Sequence, residues 1–250
     1  MRAAALLFAM LALAAPAAAE TAPGSAATVC LGVAPSETKE LLAACALAIG
    51  DASDSDDVLA AVRVRRGDAL RALGDFDAAM ADYDAALALR TREDRGAHLG
   101  RGAILLARGD VAAALADFDG AVRGFTINAA ALGYRCIARW RLGEGEAALH
   151  DCAGGQDYLK PYGFPDNWPW VAEAGVRLLG GNLPAAEVAL AEALRRNPKT
   201  AQALALRALV MARKGDKAGA ARQMAAARAL QANVETALAH AFGPDLAAGK

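Results

Sequence analysis

The 250-residue chain carries 27 Lys plus Arg against 28 Asp plus Glu, a formal net charge of -1, with no basic run. That balance excludes the electrostatic footprint of a nucleic-acid binder. Alanine is abundant and Arg greatly outnumbers Lys, a composition in keeping with a GC-rich bacterial genome.

The first element is a leader. Arg2 precedes an apolar run over 3–15, and Ala17-Ala18-Ala19 stand ahead of Glu20, the layout of a secretory signal peptide cleaved near Ala19. The run is shorter than the roughly 20 residues a spanning helix needs, so no stable membrane insertion is expected after cleavage. Cys30 follows Thr28-Val29 and lacks the small residue of a lipoprotein signal. The expected location is the periplasm. Residues 20–57 form an N-terminal segment in which 36–49 reads as an unpaired helix capping the start of the helical region. Asp51, Asp54, Asp56 and Asp57 are a loop with helix N-cap acids, because no glycine or closing glutamate succeeds them at EF-hand spacing.

From 58 to 234 one pattern recurs five times. Turn glycines Gly74, Gly109, Gly143, Gly181 and Gly215 are each followed five residues later by Ala79, Ala114, Ala148, Ala186 and Ala220, at steps of 35, 34, 38 and 34 residues. Periods near 34 with helical apolar spacing and no alternating stretch predict an all-α solenoid of antiparallel helix pairs. In the first repeat, 58–73 and 76–89 are the two helices and Gly74-Asp75 is the turn. Small residues at Gly67, Gly102, Ala174 and Ala208 let paired helices approach, and Tyr83, Phe118, Leu190 and Met224 fill the seams. Residues 234–242 are expected to cap the end, with 235–250 forming the capping helix and tail.

This arrangement resembles the tetratricopeptide repeat. The fourth copy fits the family pattern best, through Trp170, Ala174, Gly181, Ala186, Leu190, Ala193 and Pro198, without its late aromatic. The first two fit in Gly67-Gly74-Ala79-Tyr83-Ala86 and Gly102-Gly109-Ala114-Phe118-Ala121, with Thr91 and Thr126 where the proline belongs. The resemblance covers about 60–234 and implies about five repeats, an N-terminal half-repeat and a scaffold for protein partners; it is silent on chemistry.

The cysteines fall in repeat register: Cys30 and Cys45 are fifteen apart, Cys136 and Cys152 sixteen. In an exported chain each pair would tie the arms of one hairpin. Three connectivities are possible, and buried thiols in the seam are the alternative. The spacings lack the close pairs of a zinc site, so no metal or cofactor is expected.

The third repeat departs from the others. Gly154-Gly155 replace its second alanine and predict an end to the second helix near Cys152. An insertion of about four residues within 156–170 carries Tyr158, Tyr162, Phe164, Trp168 and Trp170. These aromatics suit either an interaction site or the filling of a widened seam, where Trp170 belongs. The first helices of such a solenoid line its concave face. Their outward stripe includes Val64, Arg71, Leu99, Leu106, Tyr134, Ile137, Trp140, Trp168, Val171 and Leu178, an apolar and aromatic groove for a partner segment. Arg65, Arg71, Arg101 and Arg141 stand at its margin, able to hold a carboxylate.

No catalytic residue emerges. Asp82 with Asp84 and Asp117 with Asp119 recur at the repeat period on the convex side and read as solvated. Gly143-Glu144-Gly145 follows a helix where a dinucleotide site needs a strand, and His150-Asp151-Cys152 point apart on one helix. The expected function is a protein-binding module of the bacterial envelope engaging its partner through Arg71, Leu106, Tyr134, Ile137, Trp140, Tyr162, Phe164, Trp168 and Val171. The alternative is a small-molecule or lipid carrier walled by the aromatics of 134–170. Oligomeric state is not encoded in any pattern here.

Overall fold

A computed structural model describes residues 26–34, 38–50, 55–91, 94–123, 128–162 and 166–247. The leader at 1–19 with its cleavage point, and Asp51, Asp54, Thr126 and Phe164, lie outside the described residues. Helices follow as α1 (Ala26–Gly32), α2 (Thr38–Ile49), α3 (Asp56–Leu73), α4 (Phe76–Ala88), α5 (Asp94–Arg108), α6 (Val111–Ala121) and α7 (Ala129–Arg141). After these come α8 (Gly145–Leu159), α9 (Trp168–Leu179), α10 (Leu183–Arg196), α11 (Ala201–Arg213), α12 (Lys217–Leu230), α13 (Val234–Phe242) and α14 (Pro244–Ala247). Among the described residues there is no strand, and no helix is long and apolar enough to cross a membrane.

Each hairpin turn rests on the same local chemistry. At the first, Gly74 takes φ 85°, a left-handed conformation that glycine adopts without strain. The Gly74 N–H donates to the Arg71 carbonyl and the Asp75 N–H to the Leu70 carbonyl, satisfying the orphan carbonyls of α3. The Asp75 carboxylate then accepts from the Ala78 N–H and starts α4. Asn182 and Asp216 repeat that cap at the fourth and fifth turns.

Consecutive helices pack as pairs, α3 with α4 through α11 with α12, and each pair stacks on the next. The small residues work as the pattern requires. A Cβ at Gly67 would come within 2.8 Å of the Tyr83 ring, and one at Gly102 within 2.7 Å of the Phe118 ring. Tyr83, Phe118 and Leu190 are buried in their seams, while Met224 is half-buried.

Four expectations are corrected. The α2 helix is not unpaired, because α1 packs on it and Cys30 bonds Cys45 across the two, with Cα atoms 4.7 Å apart. Cys136 bonds Cys152 in the same way between α7 and α8, at 5.5 Å. Secondly, α8 does not stop near Cys152 but runs through Gly154-Gly155 to Leu159. A Cβ at Gly155 would lie 2.9 Å from Pro169 and 3.2 Å from the Ala129 carbonyl, so this glycine serves close packing rather than termination.

Thirdly, Asp82 and Asp117 are not solvated, whereas Asp84 and Asp119 do face solvent. Asp82, Asp117 and Asp151 are 2%, 4% and 2% exposed. Arg66, Arg101 and Arg135, each sixteen residues earlier, clamp them through two nitrogens apiece. Arg101 also donates to Asp84 and Arg135 to Asp119 on the preceding hairpin, which ties neighbours together. Burial is tolerated because bidentate guanidinium bonds replace the lost water. Fourthly, α13 does not extend the stack. It lies across the first helices, against α5, α7 and α11.

Candidate functional site

The position of α13 defines the site. Its apolar residues Val234, Leu238 and Phe242 recur every fourth position, the spacing of one helix face, and all three are buried. Phe242 lies against α9, where Gly175 leaves the room: a Cβ there would come within 2.1 Å of the phenyl ring. His240 meets Phe76 at the start of α4 edge-to-face, with centroids 5.7 Å apart. With α5, α7 and α11, these contacts bring α13 against each of the five glycine-turn hairpins from α3–α4 to α11–α12.

Beneath α13 a cavity of about 480 Å³ remains. Its wall includes Arg71 of α3, Ile104 and Leu106 of α5, Tyr134 of α7 and Trp168 of α9; Gln202 closes one side and Ala237 and His240 form the roof. Tyr134 and Trp168 stand together, centroids 4.7 Å apart, and Phe118 stacks behind Tyr134 at 5.5 Å. Trp168 is seated by the residues just before it: the Asp166 carboxylate accepts its backbone N–H at 3.0 Å. Buried Asn167 then donates from its amide nitrogen to the Ala193 carbonyl and the Thr200 hydroxyl, pinning the start of α9 to α10 and to the start of α11. A Cβ at Gly133 would lie 2.6 Å from the Trp168 ring, so α7 admits the indole only through that glycine.

Arg71 lies beside Tyr83, Tyr134 and Asp68. Burial disfavours its charge, but those neighbours raise the guanidinium pKa above its ordinary value. The Tyr83 hydroxyl donates to Asp68 at 2.8 Å, and burial pushes both the Tyr83 and Tyr134 phenols up. Burial also pulls the Arg141 guanidinium down, and that side chain donates to the Leu106 carbonyl near the end of α5. Arg213 does the same to the Leu178 carbonyl. Such contacts place a cation at a helix C-terminus, where the dipole favours it.

The structure therefore brings together four of the expected residues, Arg71, Leu106, Tyr134 and Trp168, on one cavity wall. It separates the others. Ile137 and Val171 are 0% exposed and belong to the core. Trp140 sits at the turn edge, against Gly145 and Gly180. Of the margin arginines, Arg101 bonds Asp117 and Asp84, and Arg65 donates to the Val33 carbonyl. Tyr162 ends a short 3-10 turn after α8, and Phe164 lies outside the described residues. Trp170 is buried in its seam with the Arg196 guanidinium 3.9 Å over its ring, as its repeat position requires.

Sequence reasoning missed Phe242, His240, Gln202 and Gly175. The four-residue spacing of Val234, Leu238 and Phe242 was the available signal for an amphipathic helix, and a glycine in the middle of an otherwise apolar α9 marked its seat. Among the described residues no group of three His, Cys, Asp or Glu side chains is placed to hold a metal ion.

The protein-family model described as Tetratricopeptide repeat matches residues 64–130 and 175–241. Among solved structures, the chain is similar to one of the APC/C hetero-tetramer Cut9-Hcn1, with 15% identity and a TM-score of 0.63 over 82% of this chain. It spans 39% of that longer chain. It is also similar to YrrB, described as a TPR protein with an unusual peptide-binding site, at 19% identity and a TM-score of 0.46, covering 78% of this chain and 95% of that one. A tetratricopeptide repeat protein from Parabacteroides merdae ATCC 43184 is 16% identical with a TM-score of 0.47, covering 83% and 93%. At these identities the likeness is one of fold. Comparison with curated proteins gives no significant match.

Proposed function

The chain belongs to the tetratricopeptide repeat family, and from that premise we propose that it is a non-catalytic protein-interaction scaffold of the bacterial cell envelope, whose concave groove receives an amphipathic helix of a partner. One observation carries the reading: α13, with a Val234/Leu238/Phe242 face, lies in the groove against each of the five glycine-turn hairpins. The groove thus accepts a short helix with apolar residues at every fourth position, the helix-in-groove mode of recognition. Supporting the envelope location are the leader pattern over 1–19 and two disulfides, which persist in oxidising compartments.

In this chain α13 holds the groove by a tether of three residues, Gln231 to Asn233, after α12. A partner helix engages by exchange with it. The test is fluorescence anisotropy with a labelled peptide of residues 231–243. A Leu238→Asp/Phe242→Asp variant that keeps its helical circular dichroism should bind the peptide, and unlabelled peptide should compete. The parent should bind at least about a hundredfold more weakly, because its own helix is present at an effective concentration near millimolar. A folded variant that leaves the peptide free at high micromolar concentration removes the reading. The location is checked separately by the N-terminal mass of the protein recovered from its source, expected to begin near Glu20.

A further inference from the structure

We propose that the cavity under α13 is a binding site for a small amphiphilic carboxylic acid, its carboxylate at Arg71 and its hydrocarbon body along Phe76, Ile104 and Leu106. This goes beyond the scaffold reading and does not depend on it.

The volume, about 480 Å³, lies in the range of roughly 300–1,000 Å³ typical of small-molecule sites. None of the lining residues is acidic, and Arg71 carries the one permanent charge among them. The site therefore favours an anion over a neutral or cationic ligand. Two donors on the wall, Arg71 Nε and Trp168 Nε1, are buried without a hydrogen-bond partner. A buried donor left unpaired is unfavourable, and an acceptor on a ligand would relieve it. Arg65 and Arg139 also leave Nε unpaired, but their remaining nitrogens bond the Val33 carbonyl and Asp151. Arg71 is held more loosely: the Tyr83 hydroxyl is its hydrogen-bond neighbour, and its nearest carboxylate, Asp68, stands at 3.7 Å and already accepts from that hydroxyl.

The rest of the wall sorts by polarity. Ile104 and Leu106 are apolar and almost fully buried, and Phe76 adds a ring beside the His240 roof. On the opposite side Gln202 donates to Gln231 at 2.9 Å and Gln231 to Asn233 at 3.2 Å, so these amides hold one another and the start of α13. A ligand with one charged end and an apolar body matches this division. An inorganic anion would leave the apolar wall unfilled, and a hydrocarbon would leave the two donors unpaired.

The experiment is calorimetric titration of the full chain with octanoate, octan-1-ol and octylamine, repeated on Arg71→Gln and on Ala103→Phe, which fills the cavity from α5. Each variant is first shown to keep its circular dichroism and melting profile. Octanoate should bind the parent more tightly than either congener. Arg71→Gln should weaken octanoate at least about tenfold, the loss expected of a charge-assisted bond, while leaving octanol unchanged. Ala103→Phe should abolish both. Equal binding of octanoate and octanol, octanoate binding indifferent to Arg71→Gln, or no octanoate binding at millimolar concentration would each overturn the proposal. A free peptide C-terminus binding where octanoate does not would overturn it too, assigning Arg71 to a protein ligand. Because the peptide-exchange test uses Leu238 and Phe242, the two readings fail independently.

Discussion

In the first three hairpins an arginine on the first helix clamps a buried aspartate sixteen residues later, as Arg66–Asp82, Arg101–Asp117 and Arg135–Asp151. In the fourth and fifth the same positions hold Glu173 with Ala189 and Arg207 with Gln223, and no such clamp exists among the described residues. The apolar cluster that begins at Leu106, Phe118 and Ile137 in the second and third hairpins continues here without clamps, through Ala189, Leu190 and Leu206 to Leu238 and Phe242 of α13. One end of the solenoid fixes the stacking of its hairpins by directional charge; the other uses non-directional burial and a helix that spans the groove. Directional pairs set register, whereas burial alone tolerates sliding, which is why the apolar end is where a cross-groove helix contributes most.

The contrast between the two ends breaks most severely if the wrong chemistry is moved across it. Ala189→Asp places an unpaired carboxylate at a site 4% exposed, in clamp register with Glu173 rather than with an arginine; the expected loss is about 4 kcal/mol or more by urea denaturation. Adding Glu173→Arg should recover most of that, rebuilding the clamp in the fourth hairpin. Asp151→Ala strands Arg135 and Arg139, both of which bond this carboxylate, and should lower stability by about 3 kcal/mol. Replacing Cys136 and Cys152 together by alanine should lower it by roughly 3 kcal/mol through loop closure, and reduction of the parent should lower the melting temperature further, because it also opens Cys30–Cys45.

Acid sharpens the difference further. Burial alone would raise the Asp117 carboxyl, but the Arg101 guanidinium and the His98 ring that bond it hold its pKa below the ordinary value. A folded-state pKa below the unfolded one near ~3.9 means stability that is present above that pH and lost as pH falls through the folded value. Asp117→Asn should flatten the fall in melting temperature below about pH 4; an unchanged slope would remove Asp117 as its source. The smallest effect belongs to Asp119→Ala. Its side chain is half exposed, and loss of its bond to Arg135 should change stability by less than about 1 kcal/mol.

Much of the fold was legible because a turn has few chemical solutions. A glycine at positive φ states its own geometry, five copies at one period state the stack, and in three of them an aspartate or asparagine caps the helix that follows. The disulfides were legible in register. The clamps were not read, although Arg66, Arg101 and Arg135 recur at the aspartate period, because a single charged residue looks solvated until its partner is placed. Nor was the site of α13. Amphipathic spacing tells which face of a helix is buried but not against what, and the seat at Gly175 is an absence of side chain that only the packed molecule reveals. Arg71, Tyr134 and Trp168 were reached from repeat position alone; Gln202 and His240 joined them because α13 folds back.

Solenoids are ordinarily quasi-one-dimensional, each repeat feeling only its neighbours, so that terminal repeats fray independently. The contact between Phe76 and His240 changes that dimensionality, since it joins the α3–α4 hairpin to α13, which follows the fifth repeat. Fraying of the first or the fifth repeat must now sacrifice contacts at the other. The consequence is a single cooperative unit whose folding waits on a long-range closure, slower to assemble than an open array of the same hairpins and slower to come apart.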